Sequence, residues 1–266
     1  MTDRVRVEVS DHVAVVTLAR PEKHNALDPP MFEAIRVAAE QVGSMQGIRA
    51  VVLRGDGPSF CSGLDTASFA DLSVDEIAPV PGRRANAAQR LCTDWIDLEV
   101  PVVAAIHGAC FGGGLQIALG ADVRIAAPDA RLSIREIRWG LIPDMGITAN
   151  LPRLVPIDVA KELTYTGRVV EGREAHALGL VTRVDDNPHS AAVALAREIA
   201  ARSPDAVRAA KRLYEAAWTA SAGDSLALES ELQRSLIGTQ NQLASVAGGA
   251  EPGPEAFIDP GVPTRG

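Results

Sequence analysis

The residues with the clearest chemical potential lie in a glycine-rich stretch, residues 101–122, with the sequence PVVAAIHGACFGGGLQIALGAD. This pattern predicts a buried strand over residues 101–106, a loop, and a short apolar helix that opens with the glycines at 112–114. Helix N-termini carry unpaired N–H donors and a partial positive charge, and glycines leave those donors uncovered. Such a position can hold an anion, or an oxygen that becomes anionic during a reaction.

The same glycines have a structural alternative, because glycine also allows a helix and a strand to pack closely. On this stretch alone, packing and function both stay open. The spacing excludes two phosphate-binding motifs, since it lacks the G-x-G-x-x-G pattern of dinucleotide sites and the Gly-Lys-Ser/Thr of a P-loop. A transmembrane span is disfavoured as well, because Pro101, His107 and five glycines interrupt the apolar run.

A second backbone donor is predicted where a buried strand, Ala50–Arg54, ends in a turn. In the segment SFCSGLD that follows, Gly63 leaves the amide of Leu64 free to point at a ligand. Upstream of this strand, the loop RPEKHNALD holds two cations, Arg20 and Lys23. They are either solvated charges or contacts for a phosphate group.

Two acids follow the glycine-rich helix, in a stretch predicted as a short strand and an irregular segment. Glu136 could carry a proton, but its neighbours Arg135 and Arg138 make a surface ion pair the simpler interpretation from the residues alone. Asp144 precedes a helix predicted over residues 145–154, and an aspartate at this position is typical of a helix N-cap.

The composition narrows the class of protein. The 266 residues carry a net charge of −8, which argues against nonspecific nucleic-acid binding. Cys61, Cys92 and Cys110 show no C-x-x-C spacing, and an odd count without a secretion signal indicates reduced thiols and a cytoplasmic protein. The charged, alternating N-terminus predicts the first strand of a hairpin rather than a signal peptide.

Strand and helix patterns alternate up to about residue 187, and helical patterns follow. We therefore expect an α/β core over residues 1–187 and a helical region with an irregular tail over residues 188–266. Apolar residues on several faces of this region, Trp218 and Leu226 among them, indicate packing against another subunit. Within the core, a helix is further predicted over residues 29–43, with Asp28 as its N-cap and Pro29 at its first position. Another is predicted over residues 85–98, and a short one could begin at Ser73.

Four segments match one family in order and spacing: RPEKHNAL, SFCSGLD, AIHGACFGGGLQIALGADVRIA and REIRWGLIPDMG. Over roughly residues 5–245 the chain is similar to the enoyl-CoA hydratase/isomerase (crotonase) superfamily. The resemblance implies a spiral of ββα turns, a C-terminal helical region that builds homotrimers or hexamers, and an acyl-CoA thioester as substrate. It implies no metal and no cofactor apart from the coenzyme A of the substrate. The tail lacks the basic stretch that family members often carry.

By motif position, the resemblance places an oxyanion hole at the amides of Leu64 and Gly113, in agreement with the two glycine-flanked donors described above. Such a hole would hold the thioester oxygen as it gains charge in an enolate. The resemblance further implies coenzyme A contacts along the two upstream loops, at Arg20, Lys23, Ala26, Cys61, Ser62 and Asp65.

The acid/base positions distinguish the reactions within this family. Similar hydratases carry glutamate where this chain has Gln116 and again at Glu136, and a glutamine cannot accept a proton at neutral pH. Glu136 thus remains as the proton carrier, and Asp144 resembles the second acid of dienoyl-CoA isomerases. We therefore expect double-bond isomerisation of an enoyl- or dienoyl-CoA. Hydration with Gln116 positioning the water, and a CoA-ester-binding protein without turnover, are the alternatives.

Overall fold

The computed structural model describes residues 4–71, 77–82, 84–248 and 253–260. The chain begins with the predicted hairpin, in which strand β1 (Val5–Ser10) pairs antiparallel with strand β2 (Val13–Leu18). Asp11 and His12 form the turn with φ angles of 50° and 63°, a left-handed conformation that suits a tight two-residue connection. Val13, Ala14 and Val16 of β2 are buried, so the hairpin is anchored by its second strand.

The larger sheet has six strands in the order β1-β2-β3-β4-β6-β9. From β2 onward, neighbouring strands are parallel. The four strands not yet defined are β3 (Ala50–Gly55), β4 (Val102–Ile106), β6 (Val123–Ala126) and β9 (Arg183–Val184). All five residues of β4 are buried, as expected for a central parallel strand that is covered on both faces.

A smaller sheet of three strands lies beside the glycine-rich stretch. Its strands, in the order β5-β7-β8, are β5 (Ala109–Phe111), β7 (Arg131–Ser133) and β8 (Val170–Glu171). The sequence pattern predicts a loop where β5 lies, because three residues are too few to show an alternating pattern. This short strand leads directly into the glycines that open the next helix.

Ten α-helices occur in the described part of the chain: α1 (Pro29–Ser44), α2 (Arg90–Ile96), α3 (Gly113–Leu119), α4 (Ile147–Leu154), α5 (Ile157–Thr166), α6 (Gly172–Leu178), α7 (Pro188–Ala200), α8 (Pro204–Ala217), α9 (Ala222–Leu236) and α10 (Gln240–Ala247). The predicted N-cap of α1 is confirmed, since Asp28 Oδ1 accepts a hydrogen bond from the amide of Met31 at 2.9 Å.

Two helices begin later than the sequence predicts. The helix expected over residues 85–98 begins at Arg90, because Asn86 and Gln89 exchange side-chain-to-amide hydrogen bonds of 2.9 Å each, which form a turn ahead of it. The helix expected from residue 145 begins at Ile147. The possible short helix at Ser73 lies outside the described residues.

Helix α7, assigned from the sequence to the C-terminal region, packs on the larger sheet. Ala192, Ala196 and Ala200 recur every four residues and are fully buried against β3 and β4. Small side chains allow the helix to lie close to the sheet. By its packing, α7 is therefore part of the core. Helix α8 also contacts the core, where the buried Lys211 donates to the carbonyl of Val100 and pairs with Asp122.

Helices α8 to α10 bury few of their own side chains. Six large apolar residues on or beside them are between 57% and 70% exposed: Tyr214, Trp218, Leu226, Ile237, Leu243 and Val246. Part of the tail, residues 253–260, is nevertheless anchored. The buried Arg49 pairs with Asp259 at 2.7 Å and donates to the carbonyls of Pro254 and Phe257. No helix in the described residues is long and apolar enough to cross a bilayer.

Candidate active site

Two segments that lie far apart in the sequence pair beside the start of α3. The amide of Cys61 donates to the carbonyl of Ala109, and the amide of Phe111 donates to the carbonyl of Cys61, both at 3.0 Å. A β-carbon placed on Gly63 would lie 2.8 Å from the Phe111 carbonyl oxygen and 3.8 Å from the Gly112 Cα. The chain that carries Leu64 therefore contacts the chain that carries Gly113.

This close approach requires glycine at particular positions. Gly63 has a φ of 90° and Gly112 a φ of 52°, conformations that L-residues with side chains rarely adopt. At Gly113 a β-carbon would lie 2.6 Å from Met145 Sδ and 2.9 Å from Leu27 Cδ1. Any side chain at these positions would force the two segments apart or displace the first turn of α3.

The amides of Leu64 and Gly113 are both available as hydrogen-bond donors, as an oxyanion hole requires. Among the described residues neither N–H donates a hydrogen bond, although the neighbouring amides of Asp65 and Gly112 donate to the carbonyls of Leu27 and Ser133 at 2.9 Å. Gly113 is the first residue of α3, where the helix dipole adds a partial positive charge. The two predicted donors are thus brought together and remain available.

Gln116 lies one turn into α3 and is buried, with its amide fixed at both ends. Its Nε2 donates to Glu136 Oε1 at 2.7 Å, and its Oε1 accepts from the amide of Met145 at 2.8 Å. In the hydration alternative, Gln116 would position a water molecule. The structure instead shows that its oxygen is engaged by the protein, and that its nitrogen orients the carboxylate of Glu136.

Glu136 opens a short 3-10 helix, Glu136–Trp139, immediately after β7 and is half-buried. Its Oε2 atom is buried and has no hydrogen-bond partner among the described residues. Burial raises the pKa of Glu136 above its ordinary value and the charge of Asp144 raises it further, against a lowering by hydrogen bonds that include the one from Gln116. The ion pair with Arg135 or Arg138 is absent from the described residues, so one carboxylate oxygen is free to take a proton.

Asp144 is exposed to solvent, but neighbouring residues partly desolvate its carboxyl group. This desolvation raises the pKa of Asp144. The N-cap interpretation of this residue is wrong. The N-cap of α4 is Gly146, with a φ of 94°, and no side chain caps the helix. Because Asp144 raises the pKa of Glu136 through its charge, it lies near enough to influence proton transfer.

Arg20 supports the upstream loop from within. Its guanidinium is 10% exposed and lies 2.7 Å from Asp65 Oδ2 and 3.5 Å from Asp28 Oδ2, and it also donates to the carbonyl of Ala26 at 3.1 Å. Asp65 in turn caps the amide of Ala67, and this hydrogen bond, followed by the one from Arg20, lowers the pKa of Asp65. These contacts make Arg20 a support for the loop rather than a free cation for phosphate.

The other residues that the motifs assign to coenzyme A differ in accessibility. Lys23 is exposed and forms no ion pair within the described residues, and Ser62 is half-buried beside it. Ala26 is nearly buried. Cys61 is fully buried and donates to the carbonyl of Asn25, and burial raises the pKa of its thiol to about 12. Lys23 and Ser62 can therefore touch a ligand directly, whereas Cys61 contributes through its backbone pairing.

Sequence reasoning missed two residues that hold the site together. The fully buried Asn25 accepts from the amide of Arg20 and donates to the carbonyls of Asp56 and Ser59, so it ties the two upstream loops to each other. Met145 fixes Gln116 through its main-chain amide, which no side-chain pattern could reveal. An asparagine within a loop of charged residues was the available signal for the first of these.

Two free backbone donors beside one carboxylate of raised pKa can hold an oxyanion and move a proton to or from the carbon next to it. On an α/β fold, this arrangement is typical of enzymes that use acid/base catalysis. The chain belongs to the enoyl-CoA hydratase/isomerase family, whose model matches residues 8–259. Members of this family act on acyl-CoA thioesters, and the crotonase fold expected from the sequence is confirmed.

Relatives support this assignment. The chain is 30% identical to methylglutaconyl-CoA hydratase, mitochondrial, from Mus musculus, over 96% of this chain and 83% of that protein. It is 38% identical to a putative enoyl-CoA hydratase from Thermus thermophilus, over 79% of this chain and 82% of the other. The crystal structure of an enoyl-CoA hydratase from Bacillus anthracis matches with a TM-score of 0.83 at 31% identity, covering 92% of this chain and 95% of that one.

Proposed function

We propose that the protein is an acyl-CoA double-bond isomerase in which Glu136 is the proton carrier. The observation that supports this proposal is the Gln116–Glu136 pair: one carboxylate, oriented by an amide, with a free and buried Oε2 atom. A double-bond shift needs one group that takes a proton and returns it to another carbon. It needs no second acid, and Gln116 cannot serve as one.

In the proposed reaction the ionised Glu136 takes a proton from C2 of a 3-enoyl-CoA. The C–H electron pair moves into a dienolate, and its negative charge on the thioester oxygen is held by the amides of Leu64 and Gly113. The protonated Glu136 then donates the same proton to C4, and the electrons return to form the C2=C3 double bond. Loss of one oxyanion donor typically costs about 3–4 kcal/mol of transition-state stabilisation, so both amides matter to the rate.

The burial of the Glu136 carboxyl group suits its proposed role as the proton carrier. The raised pKa of Glu136 makes its conjugate acid a weaker acid, which holds the proton until C4 accepts it. The hydrogen bond from Gln116 fixes Oε1 and leaves Oε2 as the atom that exchanges the proton. No cofactor beyond the coenzyme A of the substrate is needed for these steps. Lys23 and Ser62 are the proposed direct contacts for that coenzyme A.

Hydration of an enoyl-CoA is the second candidate, because the relatives described above are named hydratases. In this chain a hydratase would have to recruit Asp144 as its second acid, since the amide of Gln116 cannot exchange a proton at neutral pH. The same Glu136–Asp144 pair could serve a dienoyl-CoA isomerase. The cytoplasmic location also stays a prediction, and the Mus musculus relative is named as mitochondrial.

A substrate panel distinguishes these candidates. Purified protein is incubated with 2-enoyl-, 3-enoyl- and 3,5-dienoyl-CoA esters, and ultraviolet absorbance and product mass are followed. Isomerisation leaves the mass unchanged and hydration adds the mass of one water. Turnover of the 3-enoyl ester without a mass change is expected. Water addition to the 2-enoyl ester as the dominant reaction would replace the proposal with hydration, and binding without turnover of any ester would indicate a CoA-ester-binding protein.

Glu136→Gln tests the proton carrier. The variant should lose about 10²–10⁴-fold in kcat while coenzyme A binding is retained. Folding should be preserved, because the new amide oxygen can still accept from Gln116. A raised folded-state pKa means that ionised Glu136 destabilises the fold at pH values above that pKa, so the melting temperature at neutral pH should stay equal or rise. Full turnover by this variant on every accepted substrate would exclude the mechanism.

A further inference from the structure

The buried arginines of the described residues are held by ion pairs or hydrogen bonds within the protein. Arg20 and Arg49 pair with carboxylates and carbonyls, and Arg124 donates to the carbonyls of Leu180 and Ala121. Three arginines near the reaction centre, Arg131, Arg135 and Arg138, differ from these; we refer to them as the arginine cluster. No member of the arginine cluster forms an ion pair within the described residues.

The cluster is organised around the ring of Phe111. The guanidinium carbon of Arg135 lies 4.6 Å from the ring centroid, and that of Arg131 lies 5.7 Å from it. Stacking on the ring orients a guanidinium but uses none of its N–H groups. Among the described residues, neither Arg131 nor Arg135 donates a side-chain hydrogen bond. Arg138 is fixed through its Nε, which donates to the carbonyl of Gly167 at 3.3 Å.

The three cations repel one another. The pKa of Arg135 is lowered, first by burial and then by the charges of Arg138 and Arg131. The acid best placed to compensate is Glu171, which lies opposite Arg131 in the register of β7 and β8, but the two side chains form no ion pair. The cluster therefore presents a set of oriented, unpaired donors and an uncompensated positive charge at one position on the surface.

We propose that the arginine cluster is a binding site for a phosphate or diphosphate group. Guanidinium groups recognise phosphate through paired, charge-assisted N–H···O hydrogen bonds, and a group with two or more negative charges matches neighbouring cations better than a single carboxylate does. Phe111 precedes Gly112 and Arg135 precedes Glu136, so the cluster is joined by the chain to both parts of the reaction centre.

The phosphate could come from two sources. One is the coenzyme A part of the substrate, in which case the cluster takes the role of the basic tail segment that this chain lacks, and the inference rests on the proposed function. The other is a free organic phosphate that binds beside the reaction centre. Both share the same chemistry at the arginines, and binding of either can be measured without turnover.

The test is calorimetric titration of the full chain with inorganic pyrophosphate at low ionic strength, followed by titration with coenzyme A. The double variant Arg131→Gln with Arg135→Gln should lose at least tenfold in pyrophosphate affinity. Arg183→Gln, on the exposed edge strand β9, is the matched control and should bind as the parent does. Thermal melting followed by circular dichroism checks that each variant folds. If the double variant melts at a lower temperature than the parent, the single variant Arg131→Gln replaces it, because Arg131 is exposed.

Parallel loss of pyrophosphate and coenzyme A binding would support the site and identify coenzyme A as its source of phosphate. Loss of pyrophosphate binding with unchanged coenzyme A affinity would support a separate organic-phosphate site. The inference is wrong if the parent does not bind pyrophosphate, or if the double variant binds it as well as the parent does. Failure of the proposed isomerisation would leave either binding result intact, because no step of the titration requires a reaction.

Discussion

The reaction centre and the C-terminal helices differ in how much of their environment one chain supplies. Gln116 is buried and hydrogen-bonded at both ends of its amide. A β-carbon added at Gly113 or Gly114 beside it would lie less than 3 Å from a neighbouring atom. Along helices α8 to α10, by contrast, Trp218 is 63% and Val246 is 70% exposed. The geometry of the first region is therefore complete in one chain, and the apolar surface of the second is not.

The two regions therefore place different constraints on the sequence. Local packing around the donors of Leu64 and Gly113 has to hold positions to within a fraction of an ångström, which is why side chains are excluded there. Several exposed apolar side chains on neighbouring helices are typical of surfaces that contact another protein. We therefore expect substitutions in the first region to change the rate, and substitutions in the second to change the assembly.

Among the variants that compare these two regions, the largest effect should come from Gly113→Ala. Its methyl group would meet Met145 Sδ at 2.6 Å and Leu27 Cδ1 at 2.9 Å, so the first turn of α3 has to move and one oxyanion donor moves with it. Loss of such a donor costs about 10²–10³-fold in kcat. Steady-state kinetics on the preferred ester measures this loss, and light scattering should show an unchanged mass.

Gly223→Ala in α9 is the matched control, because the added methyl would have only Ser221 Oγ near it, at 3.8 Å. It should leave kcat unchanged and slightly stabilise the helix, since alanine is favoured over glycine there by about 1 kcal/mol. Equal rates for the parent and Gly113→Ala would contradict the placement of the oxyanion hole.

The second prediction concerns assembly. The parent should scatter light as a trimer or hexamer of its 28.0 kDa chain, with the apolar face of α10 covered by a neighbour. Leu243→Glu combined with Val246→Glu places two charges on side chains that are 57% and 70% exposed, so the chain itself should fold as before. The measured mass should fall toward that of one chain while the far-ultraviolet circular dichroism is retained. If the parent is monomeric at micromolar concentration, the predicted assembly through these helices is wrong.

The third prediction is a pH shift. Because the charge of Asp144 raises the pKa of Glu136, Asp144→Asn should lower that pKa. The ionised form of Glu136 then persists to lower pH, and the acid limb of the pH–rate profile moves to lower pH. The melting temperature should not fall, since Gly146 and not Asp144 is the N-cap of α4. A loss of rate confined to dienoyl esters would show that Asp144 is itself a proton carrier.

Much of the site could be predicted from the sequence, because its signals are local. A glycine that frees the next amide and a cluster of glycines before a helix are features of a few consecutive residues, and the hairpin and the N-cap at Asp28 are as well. One other local signal led to a wrong detail. Asp144 has the right residue type for a cap, but the left-handed turn at Gly146 ends closer to the helix and takes the position.

The contacts that decide roles could not be predicted, because they join residues distant in sequence. Arg20 is an exposed cation by its motif but is buried by Asp65, which lies 45 residues away. Gln116 has the chemistry to hold water, yet its oxygen is engaged by a main-chain amide 29 residues further on. The strand β5 is too short to show a period, although it positions Gly113.

The smallest predicted effect distinguishes the two cations of the upstream loop. Lys23 is exposed and unpaired within the described residues, so Lys23→Ala should raise the KM for the CoA ester by no more than about fivefold, since an exposed ion pair is worth about 1 kcal/mol or less. The effect should shrink as salt is added, because salt screens exposed charges. The contrasting variant is Arg20→Ala, which leaves the carboxylates of Asp65 and Asp28 without their shared partner. It should lower the melting temperature, whereas Lys23→Ala should not. If Lys23→Ala leaves both KM and its salt dependence unchanged, Lys23 is a solvated charge and coenzyme A must be held by other residues.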